Sequence, residues 1–198
     1  MIRIIKVGGS LFDLPDLGDR IRQAIAHLSP AKTGLIAGGG ELTDVIAKAQ
    51  VLHSLSDEET HWLCIKALGV TAALLKTLLS KAQLTDQPLE LGNSVEPALW
   101  ILDPEQLLKS ENACETIRQL PKDWTVTTDS IAAAVAVELH ATELVLLKST
   151  NCLPKTLPSL AQENLVDGYF PTAAASIPKI GWINLRQSSH CVWLKATQ

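Results

Sequence analysis

Two glycine clusters, each set between a hydrophobic strand and a helix-forming stretch, constrain this chain more than any other feature. Lys6-Val7-Gly8-Gly9-Ser10 closes the β-branched run Ile2-Arg3-Ile4-Ile5, and Ala37-Gly38-Gly39-Gly40-Glu41 closes Gly34-Leu35-Ile36. Short β-rich apolar runs ending in glycine read as buried strands meeting tight turns. After the first cluster, Leu17, Ile21, Ala24, Ile25 and Leu28 share a helical face; after the second, Leu42, Val45, Ile46 and Ala49 form a stripe. Strand, glycine turn and helix, repeated, is the pattern of a parallel sheet whose ligands gather at the carboxyl ends of its strands. Glycine there lets backbone N–H groups come close to an anion, and the helix that follows offers it a positive end.

The alternation continues to the end of the chain. Ser56-Asp57-Glu58-Glu59 has the form of a capping box and starts a long helix through Leu79. Leu99–Leu102 reads as a strand, followed by Asp103 as N-cap and Pro104 at the first helical position. Trp124-Thr125-Val126-Thr127 leads into Asp129-Ser130 and an alanine-rich helix from Ile131 to Leu139, and Glu143–Leu147 is a further buried strand. Lys179–Asn184 and Cys191–Leu194 read as closing strands, while 151–161, with Pro154 and Pro158, reads as a loop. Trp62, Trp100, Trp124, Trp182 and Trp193 show no repeat and are assigned to packing. The expected architecture is α/β, a three-layer αβα sandwich with a mostly parallel central sheet, in one domain over 1–198.

Composition removes several classes of function. A net charge of −4 leaves no basic excess with which to displace counterions from nucleic acid, so no nucleic-acid partner is expected. Cys64, Cys114, Cys152 and Cys191 include no C-x-x-C pair, which fits reduced thiols rather than zinc or a disulfide framework. Met1–Lys6 is too short and too soon charged for a signal core, and the apolar stretch around Ile131–Leu147 is broken by Glu138, His140 and Glu143. A cytoplasmic protein with no membrane partner is the expectation. Neither glycine cluster fits G-x-x-x-x-G-K-[ST] or G-x-G-x-x-G, so neither a P-loop nor a dinucleotide fold is indicated.

Lys6-Val7-Gly8-Gly9-Ser10, Gly38-Gly39-Gly40 and Thr127-Thr128-Asp129-Ser130-Ile131-Ala132-Ala133, in this order, resemble the motifs of the amino acid kinase superfamily. That group includes aspartokinase, acetylglutamate kinase, uridylate kinase and isopentenyl phosphate kinase. The resemblance implies an ATP-dependent kinase that uses Mg²⁺, acts on a small-molecule phosphate acceptor, and forms a homodimer or higher homo-oligomer, with the long helix Asp57–Leu79 as a contact. By position, Lys6 resembles the lysine that stabilises the transferring phosphoryl group, and Asp129 the aspartate that orients the catalytic lysines. Gly8, Gly9, Ser10, Gly38, Gly39 and Gly40 resemble the amide-lined cradle between donor and acceptor. Lys148, at the end of a core strand, is the third catalytic candidate and the first nucleotide-binding one. Ser149, Asn151 and the patch at Asp167-Gly168 join it on the nucleotide side.

The chain departs from the family where a Val-Asp-Gly-Val run is common: here stand Lys148-Ser149-Thr150-Asn151-Cys152-Leu153, with Asn151 for the aspartate and Cys152 for the glycine. Gly38–Asp44, His61-Trp62-Leu63, Trp124–Ser130 and Val166-Asp167 are most similar to the compact [5-(aminomethyl)furan-3-yl]methyl phosphate kinases of methanofuran biosynthesis. A substrate with a phosphate and an ammonium needs an anion cradle and a carboxylate. Asp44, one helical turn beyond the glycines, is the expected ammonium partner, and His61 is a candidate for the acceptor phosphate. Two other readings stay open: a kinase of the same fold for isopentenyl phosphate, an amino acid or a nucleoside monophosphate, and a nucleotide-binding protein without turnover. No metal ligand is assigned to the protein itself.

Overall fold

The computed structural model describes residues 1–194 apart from 86, 88–90, 92–97, 110–114 and 154–155, so Cys114 and Pro154 lie outside the described residues. Strands β1 (Ile2–Val7), β2 (Lys32–Ala37), β3 (Gln83–Thr85), β4 (Leu99–Leu102), β5 (Glu143–Lys148), β6 (Lys179–Asn184) and β7 (Val192–Leu194) form a sheet in the order β3-β4-β2-β1-β5-β6-β7. Every pairing is parallel except β6 with β7. The mostly parallel αβα arrangement expected from the alternating pattern is the one observed.

Residues alternate between the two faces of each strand, and both faces are covered. Ile4, Ile36, Leu144, Leu146 and Trp182 pack against the helix Thr128–Glu138, whose residues from Thr128 to Ala136 are all buried. The alanines at 132, 133, 134 and 136 are what allow a helix to sink that far into the sheet. On the opposite face Ile5, Val7, Leu35, Val145 and Leu147 meet helix α1 (Leu17–Ala26) through Leu17, Ile21 and Ala24. Helix α2 (Glu41–His53) follows β2, and α3 (Asp57–Leu78) is long enough to serve both layers: Ile65 and Leu68 join the first core, Ala72 and Leu75 the second. By length and composition α3 could cross a bilayer. Its first turn of Asp57, Glu58 and Glu59, capped by the expected Ser56–Glu59 box, and its buried inner face are those of a core helix.

Three local outcomes differ from the sequence expectation or were absent from it. β3 is only three residues long and carries no pattern. Part of 151–161 is helical: Thr156 caps the helix Leu157–Gln162 by accepting from the Ser159 N–H, and Pro158 sits in its first turn, where no N–H is needed. Asp129 is not the N-cap of its helix. Thr127 takes that place, which frees the aspartate to face inward.

β1 lies between β2 and β5, in register Val7 to Ala37 and Val7 to Leu147, so three strand ends stand side by side. The two glycine loops that leave β1 and β2 touch backbone to backbone. A Cβ on Gly9 would lie 2.2 Å from the Gly40 nitrogen, and one on Gly38 would lie 2.7 Å from the Gly9 nitrogen. Gly40 also has φ of +57°, a conformation that disfavours side chains. The Gly9→Ala substitution therefore forces the loops apart and is expected to cost roughly 1–3 kcal/mol in chemical denaturation, as overpacking does. Gly168→Ala, with no atom within 4 Å of the added carbon, is the neutral control.

Candidate active site

Parallel register carries Lys6 and Lys148 onto the same sheet face, the one covered by the Thr128–Glu138 helix, and Asp129 in that helix's first turn points between them. Lys148 Nζ donates to Asp129 Oδ2 at 2.7 Å. Lys6 Nζ stands 3.0 Å from Oδ1, off the hydrogen-bonding axis, as an ion contact. Asp129 is 3% exposed and Lys6 7%. Lys148 also donates to the Leu165 carbonyl at 2.8 Å and lies 5.5 Å from the Trp182 ring centre.

Burial alone would raise the Asp129 carboxyl, but the ammoniums of Lys6 and Lys148 overcome it and hold the group below the ordinary carboxylate value. Asp129 is therefore an ionised anchor and has little capacity as a base. Lys148 is lowered as well: burial first, then the charge of Lys6, brings it to about 8, with Asp129 opposing.

The glycine cradle adjoins this trio. Gly8 donates to the Leu147 carbonyl at 2.8 Å and Gly38 to the Val7 carbonyl at 2.8 Å, which locks the loops of β1 and β2 onto the sheet. A 3₁₀ turn at Gly9–Leu11 is pinned from outside by Arg186, whose Nη2 donates to the Ser10 carbonyl and to both Asp13 oxygens, each at 2.8 Å. Ser10 Oγ donates to Ser149 Oγ at 3.0 Å, so these two predicted residues bridge the β1 and β5 loops. Asn151 is held at both ends of its amide, accepting from Asn184 and donating to Gln187, each at 2.8 Å.

Asp167 has an anchoring role that its Asp-Gly setting did not reveal. Its carboxylate accepts from the Thr127 N–H and hydroxyl, the Ser130 N–H and hydroxyl, and the Phe170 N–H. It thus clamps the N-terminus of the helix that carries Asp129. Gly168, next to it, faces open space.

On the β2 side, Gly39, Thr43, Thr127 and Thr128 line a cavity that is open to solvent. Its lining includes Ile65, Leu68, Val126 and Ile131, with His61, Cys64, Trp124, Asp57 and Asp123 toward the mouth. His61 is thus in the predicted neighbourhood; burial, aided by Lys122, lowers its pKa below the usual histidine value. Asp44 is exposed on α2 and stands outside this lining, where Asp57 and Asp123 supply the acids. Sequence reasoning missed Asp123 and Trp124 as site residues. Trp124 is 46% exposed, so its assignment to packing does not hold.

A mostly parallel sandwich thus presents two ammoniums, a carboxylate and two glycine loops at adjoining strand ends. The chain belongs to the amino acid kinase family, whose profile matches residues 1–153, and is a phosphotransferase of that family. It is similar to the [5-(aminomethyl)furan-3-yl]methyl phosphate kinase of Methanocaldococcus jannaschii, 23% identical over 188 residues that cover 94% of this chain and 83% of that protein. Among solved structures, the UMP kinase of Bacillus anthracis superposes with a TM-score of 0.66 at 12% identity, covering 94% of this chain and 88% of that one. The aspartate kinase of Synechocystis gives 0.66 at 13% identity, over all of this chain but 40% of its own length.

The depressed Lys148 pKa has a measurable consequence. Competitive acetylation of the native protein is expected to give a midpoint of about 8 for Lys148, against 10.5 for an ordinary lysine. Between those values the unfolded chain keeps a proton that the folded chain has released, so this group makes stability rise with pH across that window.

Proposed function

We propose that this enzyme transfers the γ-phosphoryl group of ATP to the phosphate of a small phosphorylated amine, forming a diphosphate, with [5-(aminomethyl)furan-3-yl]methyl phosphate as the acceptor of best fit. The observation that carries the reading is the pair of ammoniums, Lys6 and Lys148, fixed 3.0 and 2.7 Å from one buried carboxylate beside a backbone amide cradle.

An oxygen of the acceptor phosphate attacks the γ-phosphorus, forming a P–O bond as the bond to the bridging oxygen of ADP breaks. The attacking oxygen is already an anion, so no general base is required, in keeping with an Asp129 that stays ionised and ion-paired. What the reaction needs is in-line positioning and neutralisation of the charge on the transferring oxygens. Lys6 and the amides of Gly9, Gly39 and Gly40 meet that need on the acceptor side, while the Gly8 N–H is taken by the Leu147 carbonyl and holds the loop in place. Lys148, with Ser149 and Asn151 beyond it, meets the donor phosphates. Among the described residues no group of three His, Cys, Asp or Glu is placed to hold a metal. Mg²⁺ held by the nucleotide would supply further charge neutralisation at the donor phosphates. For the ammonium of the acceptor, Asp57 and Asp123 at the cavity mouth are better placed than Asp44.

Phosphate monoesters incubated with Mg-ATP and followed by ADP release test this reading. Turnover of an aminomethyl-aryl phosphate is expected; turnover of isopentenyl phosphate or a nucleoside monophosphate but of no amine would reject the acceptor, and tight ATP binding without any turnover would reject the reaction. Lys6→Ala is expected to lower kcat by about 100- to 1000-fold with the fold intact, the range for loss of one preorganised donor.

The same proposal includes self-association through α2 and α3. None of α2 is buried, Val51 and Leu52 are 83% and 77% exposed at its end, and Val70 and Leu74 of α3 are exposed as well. Light scattering is expected to give twice the chain mass, and a Val51→Glu, Leu52→Glu double variant to give the chain mass.

A further inference from the structure

Trp124 lines the mouth of the acceptor cavity yet has nearly half its surface in solvent, an unfavourable place for the largest apolar side chain. It is nonetheless held in one orientation. Its Nε1–H donates to Gln50 Oε1 at 2.7 Å, and Gln50 Nε2 donates in turn to Asp57 Oδ1 at 2.8 Å. The chain of bonds runs from the segment before the Asp129 helix, across the end of α2, to the first turn of α3. All three elements border the cavity, and both Trp124 and Asp57 line it. Ile65, Leu68, Val126 and Ile131 give the cavity aliphatic walls, and Gly39, Thr127 and Thr128 form the polar end next to the phosphoryl site.

We infer that Trp124 is a specificity-determining residue that selects an acceptor built on a flat, uncharged ring, with Gln50 as the residue that positions it. The inference rests on the phosphotransferase reading above and specifies the body of the acceptor between its phosphate and its ammonium. An indole fixed at its N–H on a cavity with aliphatic walls offers a planar ring a slot with a stacking face and apolar surroundings that exclude water. A flexible aliphatic chain fills that slot poorly and has more rotamer freedom to lose on binding. The lining contains two carboxylates and, among the described residues, neither lysine nor arginine, so a second anionic group on the ring is disfavoured. His61, with its pKa lowered by burial, adds no opposing cation at neutral pH.

The test compares kcat/KM for para-(aminomethyl)benzyl phosphate with that for phosphoethanolamine, both with Mg-ATP. In the wild type the ratio favours the aromatic acceptor. Trp124→Ala is expected to lower this ratio about tenfold, through KM more than kcat, while Trp124→Phe, which keeps a flat ring, restores most of it. Gln50→Leu removes the tether and is expected to lower the ratio part of the way, again through KM. An unchanged ratio in Trp124→Ala, or a wild type that prefers phosphoethanolamine, overturns the inference and leaves the phosphotransferase reading standing. A change of association state in Trp124→Ala with no change in ratio would instead make this face an interface and also overturn it. If neither compound is phosphorylated, the reading above fails, and the inference is judged by binding: saturable quenching of tryptophan fluorescence by the benzyl compound supports it, and no quenching in the wild type ends it.

Discussion

Asp129 sits between two ammonium groups in a place where water is scarce, and the arrangement carries one positive charge more than it neutralises. A buried net charge is costly unless something opposite meets it. Each surrounding feature bears on that imbalance. Asp167 secures the helix that holds Asp129, the Leu165 carbonyl and the Trp182 ring attend to Lys148, and the open direction faces the glycine amides. The Asp167 carboxylate, whose charge favours the ammonium of Lys148, is a second anion beside the trio.

Close approach of the β1 and β2 loops is the second constraint, and it has a different origin. Those loops meet without side chains because their carbonyls and amides must reach the sheet and each other at once. Gly8 and Gly38 bond into neighbouring strands, while Gly9 and Gly40 leave no room for a carbon between them. Arg186, from beyond β6, then ties the turn after Gly9 to the far side of the sheet. The acceptor and donor halves are joined by these contacts rather than by a linker.

The sandwich and the cradle were legible in the sequence because both are written locally: apolar runs of strand length, glycines at their ends, helical stripes after them. Lys6 and Asp129 were legible by motif. What could not be read is long-range or depends on helix phase. Lys148 and Asp129 meet only because the register of β5 against β1 matches the seat of the Thr128–Glu138 helix. Asp44 seemed well placed one turn past the glycines, but α2 has apolar residues on several sides, so its inward face is not marked by pattern. Asp167 looked like a turn residue, since nothing near it in sequence says that its oxygens accept from Thr127 and Ser130. Trp124 resembled the other tryptophans until its exposure and its tether to Gln50 were known. Asn151 stood out as a departure; its amide is engaged at both ends by Asn184, the last residue of the next strand, and Gln187, just beyond it.

The hydrogen-only contact between Gly9 and Gly40 also bears on how such a molecule can change over generations. A joint with no side chains leaves no room for an added carbon, so substitution at this seam is confined to glycine. The cavity beyond Gly39 is walled by side chains from three helices and the segment before the Asp129 helix, and of these Thr43 is tied to the joint, donating to the Gly40 carbonyl at 2.7 Å. What can vary and what cannot are thereby placed on different sides of one seam, and a lineage can reshape the cavity while keeping the joint.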